Sequence, residues 1–331
     1  MPRVGITAMG TYIPPAVQRS DAIAAASGIP EEVIIQKFGL RQKHIASPDE
    51  HVSDMALHAA RAALEGIDPR SIGAVIYFGS AHKDYYLWTC APRLQHELAL
   101  VNAFTFELMD TSACGPVALK VAKDMLVADR DLTAILLAGA SREAAIIDYR
   151  NPRSRFAFSF ADGAAAAVLQ RDSGHEVLAS AIVTDGSFWR DVLVPAGGSV
   201  HPASEQTVRQ GMHFLDVIDP QGMKARLDPV ALDRFVGVIT EAVTRSGFTV
   251  ADIDYLAALH TKRSLFDALL RVLGLEESQS FYLADYGHMS AIDPLISLVE
   301  GERAGRLRRG DLAVAVSGGT GYSWAATAIR W

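Results

Sequence analysis

Three residues far apart in the sequence carry side chains suited to acyl transfer: Cys114, His260 and His288. Cys114 sits where an apolar run, 104–109, passes into an amphipathic helix that ends near Ala128. A cysteine beside a helix N-terminus faces unpaired N–H groups and partial positive charge, which favour thiolate over thiol. Thiolate is the nucleophilic form in covalent acyl transfer. The residue also reads as a buried small hydrophobe, a common role of free cysteine. His260 and His288 each fall between a strand and a helix, and either one alone reads as a structural histidine. Beside a thiolate the pair would supply a base or cation and donors for a developing oxyanion. Glycines in Gly318-Gly319-Thr320-Gly321 would let a backbone N–H pair with that of Cys114 as an oxyanion hole.

The elements that must bring these residues together read as two similar halves. The run from Ile72 after an Asp-containing turn is echoed from Ile253, and Asp131–Ala140 is echoed by Asp311–Gly319. Both offsets are about 180 residues, a domain-sized period that points to duplication rather than a solenoid. Near-continuous apolar strands alternate with helices at 53–64, 117–127, 232–245 and 264–273, the pattern of sheets covered on both faces. Further strands are expected at 1–7 and 281–283, and a helix from near Pro294. Arg171-Asp172-Ser173-Gly174 reads as the turn between halves 1–171 and 172–331, and 188–214 reads as loops. In duplicated open sheets the strand ends of both halves converge on one crevice, where Cys114, His260 and His288 would meet.

Composition narrows the class. The chain has 331 residues, half of them hydrophobic, enough for a large core. Two cysteines, Cys90 and Cys114, are too few for a disulfide framework and fit a reducing compartment, with Cys90 reading as packing. No signal-peptide pattern opens the sequence and no apolar run approaches about 20 residues, so a cytoplasmic protein is expected. A net charge of −7 argues against a nucleic-acid-binding face. No histidines or cysteines stand at metal-ligand spacing, so no metal is expected.

Taken in order, the motifs resemble the thiolase superfamily, specifically β-ketoacyl-acyl-carrier-protein synthase III and its relatives. They include Gly10-Thr11-Tyr12-Ile13-Pro14, Gly39-Leu40-Arg41-Gln42-Lys43-His44-Ile45, the Cys114 turn, Phe160-Ala161-Asp162-Gly163-Ala164, Thr184-Asp185-Gly186-Ser187, the His260 turn and Tyr286-Gly287-His288-Met289-Ser290-Ala291. The resemblance covers nearly the whole chain and implies an α/β fold of five αβαβα layers in two duplicated halves, and a homodimer. It implies that Cys114 accepts the acyl group, that His260 hydrogen-bonds the second thioester's carbonyl, and that Thr320 supplies the second oxyanion N–H. His288 stands where synthase III has Asn, to donate to an enolate or to act as a base. No tightly bound cofactor is implied; acyl-CoA or acyl-carrier-protein thioesters are the implied substrates. Val33 and Lys37 occupy the places of the family's adenine-clamping Trp and Arg. Lys37, Lys262 and Arg263 are therefore the expected contacts to coenzyme A or a carrier, and Leu87, Trp88, Phe156 and Phe158 the expected acyl pocket. The implied reaction is a decarboxylative condensation in a specialised fatty-acid or polyketide-type pathway. Acyl transfer to an oxygen or nitrogen acceptor, or a non-catalytic subunit role, are the alternatives.

Overall fold

The computed structural model describes residues 2–331. Nine strands form the main sheet: β1 (Val4–Tyr12), β2 (Ile72–Gly79), β3 (Phe104–Met109), β4 (Ala134–Arg142), β5 (Asp162–Arg171), β6 (His175–Thr184), β7 (Tyr255–Ala258), β8 (Leu312–Gly319) and β9 (Ser323–Arg330). Their spatial order is β7-β8-β9-β6-β1-β5-β4-β2-β3. The two halves are thus β3-β2-β4-β5-β1 and β7-β8-β9-β6. Within the sheet, among the described residues, the two are paired through the short β1–β6 contact, Gly5 with Glu176 and Ile6 with His175. The expected boundary falls in the hairpin between β5 and β6, where Asp172 and Gly174 both take positive φ.

Alternation along the strands builds the layers. On β2, Ala74, Ile76 and Phe78 face a central cluster that also holds Tyr255, Ala257, Ala313 and Ala315 from the other half. Val75 and Tyr77 face outward onto helix α1 (Val52–Ala63). The central cluster encloses α2 (Cys114–Ala128) and α5 (Asp293–Arg303). On the far side, α3 (Ala231–Arg245) and α4 (Arg263–Leu273) cover the second half. In α3 the buried residues are Phe235, Val238, Ile239, Ala242 and Val243, the i, i+3, i+4 stripe of a core-facing helix. Each such large side chain contributes roughly 1.5–3 kcal/mol on burial. The layers read helix, sheet, helix, sheet, helix.

The four helices expected from periodicity form within three residues of their expected ends. Of the expected strand 1–7, Met1 lies outside the described residues, and the strand runs Val4–Tyr12. Residues 281–283 form no strand. Their apolar side chains instead plug the core: Leu283 joins the central cluster, and Tyr282 turns its hydroxyl to the Thr261 carbonyl at 2.7 Å. No helix of the described residues is long and apolar enough to cross a membrane.

Candidate active site

The turn from β3 into α2 is the sharpest local feature of the site. Thr111 takes φ +46°, a left-handed value uncommon for a residue with a side chain. A short helical turn, Thr111–Ala113, then leads into α2. Successive residues on a helix rotate by about 100°, so positions 112 and 114 point to nearly opposite sides. Ser112 faces the cleft and Cys114 faces the core.

For Cys114 the geometry differs from the expectation. Its side chain is wholly buried in the central cluster, and its Sγ donates to the Leu108 carbonyl at 3.3 Å. Burial pushes its thiol up to about 12, with two backbone hydrogen bonds only partly opposing, so the thiolate is disfavoured. It does not line the cleft and forms no hydrogen bond with either histidine.

Ser112 takes the place expected of Cys114. Its Oγ lies 2.9 Å from His288 Nε2, and His288 Nδ1 lies 2.6 Å from Asp293 Oδ2. Asp293 opens α5 with no side-chain exposure, and it stands where a helix N-terminus favours a carboxylate. Its Oδ1 accepts from Met289 N–H at 2.7 Å, and its Oδ2 also accepts from His260 N–H at 2.8 Å. One carboxylate therefore fixes both histidine segments. With Nδ1–H donated to Asp293, His288 Nε2 is left to accept the Ser112 hydroxyl proton. Burial alone would lower the His288 pKa, but the Asp293 charge and hydrogen bond, with Glu143 nearby, raise it.

The segment carrying His288 is anchored on both sides. Its N–H donates to the Ser159 carbonyl at 2.8 Å, and its carbonyl accepts from Ala161 N–H at 2.8 Å. The Phe160 ring packs edge-on against the imidazole, with centroids 4.9 Å apart. Ser290, held at φ +57°, brings its Oγ to 3.3 Å from Ser112 Oγ. From the other half, Ser317 Oγ donates to the Ser112 carbonyl at 2.5 Å. Close backbone approach needs glycine at two places. A Cβ at Gly115 would collide with the Ala291 carbonyl, and one at Gly319 with Thr111 Oγ1 and the Asp110 carbonyl.

His260 is also buried and lines the cleft. Burial is the main cause that lowers its pKa to about 4, so the ring is neutral near pH 7. It stacks on Tyr282 with centroids 5.3 Å apart, and its Nδ1 is buried with no partner among the described residues. Its Nε2 lies 3.4 Å from the Gly39 carbonyl, so the single N–H of the neutral ring sits on Nε2, loosely held and able to turn to a substrate oxygen.

The cleft measures about 1020 Å³ and is lined by Ser112, His260, His288, Thr320, Phe156 and Phe160, with Val33 and Lys262 farther along. Of the expected pocket residues only Phe156 lines it. Phe158 packs in a neighbouring cluster with Ile23 and Ile34. Trp88 packs against the outer cluster of the first half, and Leu87 is 95% exposed. Among the expected cofactor contacts, Lys262 lines the cleft, whereas exposed Lys37 does not. Arg263 is already engaged: it pairs with Asp267 and Glu277 and lies over the rings of Tyr282 and Phe266. Arg155, missed in the sequence, lines the cleft with no salt bridge among the described residues.

Ser112 and Asp293 were both missed as chemical residues. The available signals were the two-residue step back from Cys114 and the five-residue step from His288 to a carboxylate at a helix start. Both are common spacings, and only the folded geometry distinguishes them.

Comparison with known proteins agrees with the architecture. Residues 106–186 match the family described as 3-Oxoacyl-[acyl-carrier-protein (ACP)] synthase III, and residues 243–331 match its C-terminal part. The β-ketoacyl-[acyl-carrier-protein] synthase III of Symbiobacterium thermophilum is 31% identical, over 99% of this chain and 98% of that one. Among solved structures, the 3-oxoacyl-[acyl-carrier-protein] synthase III of Aquifex aeolicus superposes with TM-score 0.85 at 21% identity, covering 99% of this chain and 100% of that one. The priming β-ketosynthase of the R1128 polyketide biosynthetic pathway superposes with TM-score 0.85 at 24% identity, covering 98% and 95%.

Proposed function

The chain belongs to the β-ketoacyl-[acyl-carrier-protein] synthase III family of acyltransferases with the thiolase-like fold, and on that premise we propose that it carries its acyl group as an ester on Ser112. The observation that carries this reading is the hydrogen-bonded line from Ser112 Oγ through His288 to Asp293 at the wall of the cleft. It has the order and connectivity of a nucleophile, base and orienting carboxylate.

His288 Nε2 takes the Ser112 proton as Oγ attacks the thioester carbonyl. The tetrahedral intermediate collapses, the C–S bond breaks, and the thiol leaves with that proton. A malonyl-type thioester then enters and loses carbon dioxide. Its enolate oxygen takes the His260 Nε2–H that otherwise faces the Gly39 carbonyl at 3.4 Å, and its carbon attacks the Ser112 ester. The ester C–O bond breaks, and Ser112 Oγ takes a proton from solvent by way of His288, which balances the proton carried off by the thiol. The product is a β-ketoacyl thioester. Thr320, on the cleft wall, supplies a backbone N–H toward the acyl oxygen together with that of Ser112.

Arg155 and Lys262 give the cleft a cationic border suited to the phosphates of coenzyme A or a carrier's phosphopantetheine arm. No tightly bound cofactor enters the scheme. Val33 in place of an aromatic clamp, and serine in place of a thiol, favour a specialised fatty-acid or polyketide-type pathway in the cytoplasm. A second copy is the partner proposed for the free edge of β3. That edge exposes Phe104 and Met109, near a loop exposing Tyr85, Tyr86 and Leu87. A long apolar edge left bare invites strand addition.

The test is incubation with an acyl-CoA panel and malonyl-CoA, followed by peptide mass spectrometry and carbon dioxide capture. Acyl mass on Ser112 and carbon dioxide release coupled to a β-ketoacyl product are expected. Acyl mass on Cys114 instead would overturn the assignment.

A further inference from the structure

We propose that this protein also hydrolyses acyl thioesters when no carbon nucleophile occupies the cleft. The inference rests on the Ser112 ester reading and goes beyond it. A condensation needs hydrogen-bond donors for an enolate, and His260 meets that need without a base. The His288–Asp293 pair is a base, and a base is what an O–H nucleophile requires.

Acylation itself creates the opening. In the free protein, the Ser112 hydroxyl proton satisfies His288 Nε2 at 2.9 Å. Once Oγ carries an acyl group it has no proton to donate, and Nε2 becomes a buried acceptor without a donor. Asp293 still holds the ring in place through Nδ1 at 2.6 Å. An unpaired buried acceptor is costly, and a water that donates to Nε2 removes the cost. The cleft, at about 1020 Å³, has room for that water beside the ester. The water so held lies next to the acyl carbon with its proton directed at a base. This is the deacylation geometry of a serine hydrolase.

The step balances. Water oxygen forms a bond to the acyl carbon and gives a proton to His288 Nε2. The acyl C–Oγ bond breaks, and Nε2 passes the proton to Ser112 Oγ. The products are the carboxylic acid, which ionises, and the free serine. The substrates are acyl thioesters short enough for the cleft.

Purified full-length protein is incubated with acetyl-, propionyl- and hexanoyl-CoA in water enriched in oxygen-18, with no malonyl thioester. Free thiol, labelled acid and intact protein mass are followed together. Thiol release should continue well past one equivalent per chain, with one heavy oxygen in each acid. Ser112→Ala should abolish it, and Asp293→Asn should slow turnover at least about tenfold. Release that stops at one equivalent, leaving a stable acyl mass on Ser112, overturns the hydrolysis while sparing the ester reading. Absence of both thiol release and acyl mass across the panel overturns the two together.

Discussion

Ser112 Oγ and His288 Nε2 stand 2.9 Å apart although the sequence separates them by 176 positions. The contact joins the two halves of the fold at one wall of the cleft. On the proposed reading it pairs the nucleophile with its base.

Because Cys114 serves the core, Cys114→Ala should keep acyl transfer within about threefold of the parent. Its cost should fall on stability, about 1 kcal/mol for a small buried side chain. Thermal unfolding and single-turnover acylation measured on the same preparation separate the two effects.

The raised pKa of His288 sets the acid side of the rate profile. The reaction needs His288 neutral, so kcat/KM should fall as pH drops through a value above the ordinary imidazole value of 6.5. His260, lowered to about 4, stays neutral through that range and does not produce the limb. Asp293→Asn removes the charge that raises His288, so the limb should move to lower pH. The plateau should drop about a hundredfold or more through loss of ring orientation. A pH–rate series on both proteins checks the direction.

His260→Ala should divide the reaction. Acyl mass should still appear on Ser112, because His288 and Asp293 remain, while carbon dioxide release from malonyl-CoA should fall about a hundredfold. Removing Tyr282 by Tyr282→Leu takes away the ring stacked on His260 and the hydroxyl on the Thr261 carbonyl. It should lower the same step and leave acylation nearly unchanged. Rescue of the carbon dioxide rate by Tyr282→Phe would mark the stacking, rather than the hydroxyl, as what positions His260.

Arg263 and the cleft cations should separate in binding assays. Arg263→Ala should leave the acyl-CoA KM within about twofold, since its guanidinium is occupied by Glu277 and Asp267. Lys262→Ala and Arg155→Ala should each raise that KM several-fold, and the difference should shrink at high salt.

Gly319→Ala places a methyl against Thr111 Oγ1 and the Asp110 carbonyl, so the turn that presents Ser112 must shift. Acylation should fall at least about tenfold while the fold persists, readable as lost acyl mass beside an unchanged far-ultraviolet spectrum.

Local patterning in the sequence marked the strands and the covering helices, and the family resemblance supplied the five layers. Near-continuous apolar runs such as Ile72–Gly79 and the i, i+3, i+4 stripe of Ala231–Arg245 are local signals, because burial is written residue by residue. The weak repeat implied two halves, and the fold has them, with His260 and His288 both on the wall of one cleft. Which atom of the Asp110–Gly115 turn reaches that crevice was decided only in three dimensions. A two-residue step on a helical turn reverses the direction of a side chain, and Thr111 at φ +46° sets where the rotation starts. Chemical type favoured the sulfur, but orientation turns the hydroxyl of Ser112, not the Cys114 thiol, toward the cleft. The same holds for Asp293 and Arg263: one carboxylate became the hub of two histidines, and one cation was spent on its neighbours, because folding brought those partners within reach.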